Sequence, residues 1–127
     1  MNFKIDTKEK FTVITPLQTY LSDNLTAELN QTATNCLQSD IKNVVLNMKD
    51  VVSLDEAAAT NLSSLQQSFY ENNNSFVICE IQPAVSHKLE TLELSEVLNI
   101  TPTESEAWDI VQMEEIEREL MSGFDEE

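Results

Sequence analysis

The chain has 127 residues, 41% of them hydrophobic, and a formal net charge of −16 from 23 acidic and 7 basic residues. That length suits one domain, 1–127, with a core over about 3–120 and an acidic tail, 121–127, expected to fray. Such a charge repels phosphate backbones and anionic lipid, which sets aside nucleic-acid binding and docking on a charged membrane surface. No apolar run of about 18 residues is present for a membrane span, and the start, Met1-Asn2-Phe3-Lys4-Ile5-Asp6, lacks the apolar region of a secretory leader, so the expected compartment is the cytoplasm.

In chain order, Phe3 to Asp6 and Phe11 to Ile14 read as a strand pair joined by a polar turn, and Pro16 ends the second strand because it offers no N–H to a ladder. Leu17 to Leu21 reads as a connector. Ser22 or Asp23 caps a helix whose buried stripe is Leu25, Leu29, Ala33, Cys36 and Leu37, closed by Ser39-Asp40. Ile41-Lys42-Asn43 then leads into Val44-Val45-Leu46, a continuous apolar run that suits a strand covered on both faces. From Leu54 the period changes: Leu54, Ala58, Leu62, Leu65 and Phe69 fall on one helical stripe ending near Tyr70. Two caps compete at its start, a Ser53–Glu56 capping box and Asp55 alone.

Asn72-Asn73-Asn74 closes that helix; the chain's one glycine is Gly123, and asparagine is the usual substitute at a left-handed helix exit. Phe76 to Cys79 is a second buried strand. Pro83 suits the first turn of a helix lined by Val85, Leu89 and Leu92, with Leu94, Val97 and Leu98 continuing the apolar contact and Ile100 entering a short strand. Thr103 and Glu106 form a capping box for a closing helix lined by Ala107, Ile110, Val111, Met113, Ile116 and Leu120, with Gly123 as its terminator. Alternation of strands and helices calls for a mixed sheet with right-handed crossovers.

Catalytic constellations find little support. No glycine precedes residue 123, so there is no phosphate-cradling loop; Ser63 and Ser64 have no nearby base; His87 reads as a surface residue beside Lys88. Glu114-Glu115 is one of many acidic pairs in a chain with ten acids and one base, Arg118, from Glu104 onward. Cys36 and Cys79 read as buried free thiols rather than metal ligands, and neither a metal nor a cofactor is expected. Trp108 reads as half-buried core, or as the anchor of a partner.

The segment from Val44 to Ala59, a buried strand running through a loop into a helix start at Asp55-Glu56-Ala57-Ala58, resembles the central motif of the STAS family, the sulfate transporter and anti-sigma-factor antagonist domains. The resemblance covers about residues 3 to 120, and Pro102-Thr103-x-x-x-Ala107 is similar to the family's entry to its last helix. It implies an α/β, SpoIIAA-like fold: a four- to five-stranded mixed sheet with helices packed mainly on one side. In phosphorylatable members the motif is Asp-Ser-Ser/Thr-Gly. Here the Asp matches at Asp55, but the residue at the acceptor position is Ala57, which has no hydroxyl.

In regulatory members this helix start, with the loop before the first helix, contacts an ATP-binding anti-sigma kinase, and phosphate on the hydroxyl ejects the partner. The resemblance therefore implies a non-enzymatic protein-interaction module that has lost this switch. Its contact face would be Tyr20, Leu21, Ser22, Asp23, Ser53, Asp55, Glu56, Ala57, Ala58 and Thr60, with Ala57 and Ala58 giving a flat surface. Ser53 and Thr60 lie too far from the acceptor position to replace it, and Glu56, one residue off, is a poor phosphate mimic. The competing expectations are a scaffold or transporter-associated STAS subunit and a domain binding a small ligand. The oligomeric state is not legible.

Overall fold

The computed structural model describes residues 3–36, 38 and 43–125. The elements run β1 (Phe3–Thr7), β2 (Phe11–Pro16), β3 (Tyr20–Leu21), α1 (Asp23–Cys36), β4 (Asn43–Asn47), β5 (Ser53–Leu54), α2 (Glu56–Glu71), β6 (Phe76–Cys79), α3 (Pro83–Thr91), β7 (Ile100–Thr101) and α4 (Glu104–Asp125). Leu37, Ser39-Asp40 and Ile41-Lys42, expected to end the first helix and lead to the central strand, lie outside the described residues, as do Glu126 and Glu127.

The main sheet has the order β1-β2-β4-β6-β7. β1 pairs antiparallel with β2, Ile5 opposite Ile14, and the remaining joins are parallel. Every residue of β4 and β6 is buried, because a parallel sheet is covered on both faces. Side chains alternate across that sheet. Val44, Leu46, Phe76 and Ile78 join the large cluster with Leu29, Leu62, Phe69 and Leu89 of α1, α2 and α3, whereas Val45, Val77 and Cys79 pack with Ala107 and Val111 of α4. Three helices thus cover one face and α4 the other. The Cys79 thiol is pushed up to about 12 by this burial and then by the carboxylates of Glu104 and Glu80.

The connector expected over Leu17 to Leu21 holds one element that was not foreseen. β3 pairs in parallel with β5, Tyr20 opposite Ser53 and Leu21 opposite Leu54. Two-residue strands are too short to show alternation, so periodicity gives no sign of them.

The exits of α2 and α3 are closed by left-handed residues. At the end of α2 the Asn74 N–H donates to the Phe69 carbonyl (2.9 Å) and the Asn73 N–H to the Tyr70 carbonyl (3.1 Å), with Asn73 at φ 61°. The end of α3 repeats this Schellman pattern: the Leu94 N–H donates to the Leu89 carbonyl and the Glu93 N–H to the Glu90 carbonyl, with Glu93 at φ 60°. A glutamate gains nothing from that conformation. Glu93→Gly is therefore expected to stabilise the protein by about 0.5–1 kcal/mol, the relief of left-handed strain less glycine's extra freedom when unfolded. Calorimetry would show the melting midpoint rising by a few degrees.

Three expectations for the C-terminal third are corrected. Val97 is 55% exposed, not part of the core. Gln66 explains this by holding the backbone around it: its Nε2 donates to the Val97 carbonyl (2.8 Å) and its Oε1 accepts from the Asn99 N–H (2.6 Å). Gly123 does not stop the last helix, which continues to Asp125 with no left-handed glycine. A single glycine among helix formers costs only about 1 kcal/mol.

The third correction concerns the lining of α4. Ala107 and Val111 are buried and Ile110 is partly buried, as expected, but Met113, Ile116 and Leu120 are 57%, 56% and 59% exposed. The inner face turns polar after Val111. Tyr70 donates its hydroxyl to Glu114 (2.8 Å to Oε1), Asn99 Nδ2 donates to the Tyr70 oxygen (2.8 Å), and the buried Ser75 hydroxyl also donates to Glu114. Arg118 donates to Ser75 Oγ (3.2 Å) and Asn43 Oδ1 (3.4 Å), while Asn43 Nδ2 donates to Glu115 (3.1 Å). These bonds set the helix's rotation and leave its second apolar stripe facing out.

Candidate functional site

The β3–β5 bridge brings the chain before α1 against the chain before α2. The Val52 and Ser53 N–H groups both donate to the Thr19 carbonyl (2.7 and 3.1 Å), and the Asp55 N–H donates to the Leu21 carbonyl (3.2 Å). The two helices therefore begin side by side. Ser22 resolves the first capping choice: its Oγ accepts from the Leu25 N–H (3.2 Å) and its carbonyl from the Thr26 N–H (2.9 Å). Asp55 resolves the second, because its Oδ1 accepts from the Ala58 N–H at 2.7 Å, whereas Ser53 is held in β5.

Asp55 does more than cap its own helix. Its Oδ2 accepts from the Asp23 N–H (3.1 Å), the first residue of α1, and from the Tyr20 hydroxyl (3.2 Å). One carboxylate thus neutralises unpaired N–H groups at two adjacent helix ends, where both macrodipoles are positive. Asp23 turns its own carboxylate to Asn61 Nδ2 of α2 (2.9 Å), a second tie between the helices. The Tyr20 phenol is raised above its ordinary value by desolvation and then by Asp55.

Around this joint the expected contact residues divide. Tyr20, Asp23, Ser53, Glu56, Ala57 and Thr60 are exposed, and Ser22 and Asp55 are half-buried. Leu21 and Ala58 have 0% exposure, so they support the corner from beneath rather than line it. Ala58 faces inward because it follows the stripe to Leu62, and the flat surface expected of two alanines is offered by Ala57 alone.

Sequence reasoning missed Val52, which the bridge brings here: its N–H is held by the Thr19 carbonyl, and its side chain is 46% exposed. The signal was available, since Val52 belongs to no helical or alternating pattern. Asn61 was also missed, and a lone asparagine in a helix gives no such signal.

Other candidates lie apart. His87 is exposed on α3, and Cys36 and Cys79 form no disulfide; Cys36 is half-buried, not buried as expected, with its thiol donating to the Thr32 carbonyl (3.6 Å), and Cys79 is buried. Trp108 is 37% exposed, with Phe11 edge-on at 5.1 Å and the Lys8 ammonium 5.8 Å from its ring centre. Among the described residues no helix is long and apolar enough to cross a membrane, and no three His, Cys, Asp or Glu side chains gather to hold a metal ion.

A family model described as STAS domain matches residues 2–107. Among solved structures, a candidate anti-sigma factor antagonist from Thermotoga maritima superimposes with a TM-score of 0.76 at 18% identity, over 87% of this chain and 94% of that one. An anti-sigma-factor antagonist (STAS) domain protein from Planctomyces limnophilus gives 0.73 at 17% identity, over 87% and 97%. The phosphorylated form of the Bacillus cell-fate determinant SpoIIAA gives 0.62 at 14% identity, over 86% and 98%. These likenesses establish the fold, including the five-stranded mixed sheet expected for it. No curated protein matches the chain in sequence.

Proposed function

The chain belongs to the STAS domain family, and from that premise we propose that it is a non-enzymatic docking module whose partner is a regulator of the anti-sigma kinase type. The partner seats on the corner where α1 and α2 begin. The observation that carries this reading is the joint at Asp55: two helix starts capped by one carboxylate, with Tyr20 and Val52 exposed at the strand pair that leads into them. Apolar side chains held on ordered backbone, with a carboxylate rim, suit a partner that presents an apolar patch within basic residues.

The corner carries no phosphorylation switch. Ala57 is exposed at the position of the family's acceptor and offers no oxygen nucleophile. Ser53 lies in β5 before the helix, and Thr60 lies a turn further along it. Release of the partner therefore depends on something other than phosphate at this point, such as competition or partner turnover.

The test uses an ATP-binding anti-sigma kinase of the same organism, titrated against this chain with and without magnesium ATP. A complex is expected that Val52→Glu weakens about tenfold or more, as for a buried apolar contact made repulsive. Intact-mass spectrometry should find no added phosphate. Phosphate on Ser53 or Thr60 at high stoichiometry would overturn the switchless reading. Native complexes that hold a membrane transporter and are indifferent to Val52→Glu would overturn the docking corner.

A further inference from the structure

We infer that the outward face of α4 is a second docking surface and that its occupant is a basic amphipathic helix of another protein. Met113, Ile116 and Leu120 are large apolar side chains left 57%, 56% and 59% exposed. Their spacing, three then four, is that of heptad positions a, d and a, so they form one seam about 10 Å long. This seam is distinct from the corner at α2, since α4 lies on the opposite face of the sheet from α1, α2 and α3. It also lies beyond residue 107, where the match to the family model ends.

The seam is held outward. In the same heptad Glu114, Glu115 and Arg118 occupy positions b, c and f, which face the sheet and bond to Tyr70, Ser75 and Asn43. Rolling the helix to bury Met113, Ile116 and Leu120 would withdraw those charged groups from their partners. The apolar face is thus presented by a fixed support.

Charge selects the occupant. Positions e and g, which flank a coiled-coil seam and choose its partner, are Glu117 and Glu119, both exposed, and the N-terminal approach carries exposed Glu106 and Asp109. A second copy of this chain would set acid against acid along both edges, adding to the repulsion of two chains of net charge −16. A helix with apolar a and d residues and Lys or Arg at e and g would meet the seam with its own and neutralise both edges.

The test uses the full chain and a fluorescein-labelled three-heptad peptide with Ile at a, Leu at d and Lys at e and g, whose own lysines keep it from self-pairing. Anisotropy should show saturable binding of this peptide and little of the version with Glu at e and g. The paired variant Ile116→Gln with Leu120→Gln, which alters no charge, should weaken binding about tenfold or more, while Ile5→Gln, at an exposed isoleucine on β1, should not. Circular dichroism melts would verify that both variants are folded. Equal binding of a scrambled Lys peptide, or indifference to the paired variant, would reduce the effect to general charge attraction and overturn the proposal. A dimer in sedimentation that the paired variant dissolves would overturn it in favour of a second copy.

Discussion

Asp55→Ala is expected to lower the unfolding free energy by about 2–3 kcal/mol, measured by urea titration at neutral pH. Loss of an N-cap alone costs about 1 kcal/mol. Here the same carboxylate also accepts from the Asp23 N–H of the neighbouring helix and from the Tyr20 hydroxyl. Each of those bonds to a charged acceptor adds a smaller increment at a partly exposed site. Ser22→Ala, which removes one cap from α1, should cost only about 1 kcal/mol. Asp55→Asn keeps an oxygen for the Ala58 N–H, and should fall between the wild type and Asp55→Ala. Hydrogen exchange gives the local signature: the Ala58 and Asp23 amides should both open faster in Asp55→Ala, since one acceptor serves both. A loss below about 0.5 kcal/mol, or faster exchange at Ala58 alone, would mean that the two helix starts are not joined through this residue.

That joint shows which parts of the molecule were legible in the sequence. Val44-Val45-Leu46 and Phe76 to Cys79 could be read because strands buried on both faces are continuous apolar runs, and they are the two central strands of the sheet. The start of α2 was legible as a helix end, but two local caps fitted it, and the choice was decided from outside the segment. Asp55 reaches Asp23 and Tyr20, more than thirty residues away in the chain, and β5 holds Ser53. Asn73 was readable as a left-handed exit because its side chain tolerates the conformation. Glu80 and Glu93, at φ 57° and 60°, were not, since glutamate has no such tendency and only the surrounding fold sets them there.

The lining of α4 was misread for a related reason. The helix carries two apolar stripes, and periodicity cannot say which one meets the sheet. Ala107 and Val111 identify the buried one, but it continues as Glu114 and Arg118, residues that pattern reasoning assigns to solvent. Their partners come from β4, α2 and the turn before β6, so the reversal becomes visible only in three dimensions. Both proposed docking surfaces therefore rest on carboxylates that act inside the fold, Asp55 beneath one and Glu114 beneath the other.

Glu114→Ala should be the more damaging of the two alanine substitutions, at about 3 kcal/mol. Ser75 is fully buried and the Tyr70 hydroxyl is partly buried, and both donate to this carboxylate. A buried donor left unpaired costs about 1–3 kcal/mol. Glu114→Gln keeps one acceptor oxygen and should lose about half as much. Tyr70 supplies an independent readout in alkali. Its phenol is pushed up from 10.0 to about 12, first by burial and then by the bond to Glu114. Below pH 10 it is protonated in both folded and unfolded chains, and its contribution to stability is complete. Above pH 10 the unfolded chain loses the proton while the folded one retains it, so stability falls until about pH 12. Tyr70→Phe removes that fall, and the gap between wild type and Tyr70→Phe should narrow from pH 10 to 12 in urea titrations. In Glu114→Ala the fall should begin at the same pH but end sooner, because burial, the larger cause, remains while the carboxylate is gone. A constant gap between wild type and Tyr70→Phe across that range would show that Tyr70 is not held neutral beneath α4. The inner face would then not fix the helix's rotation as described.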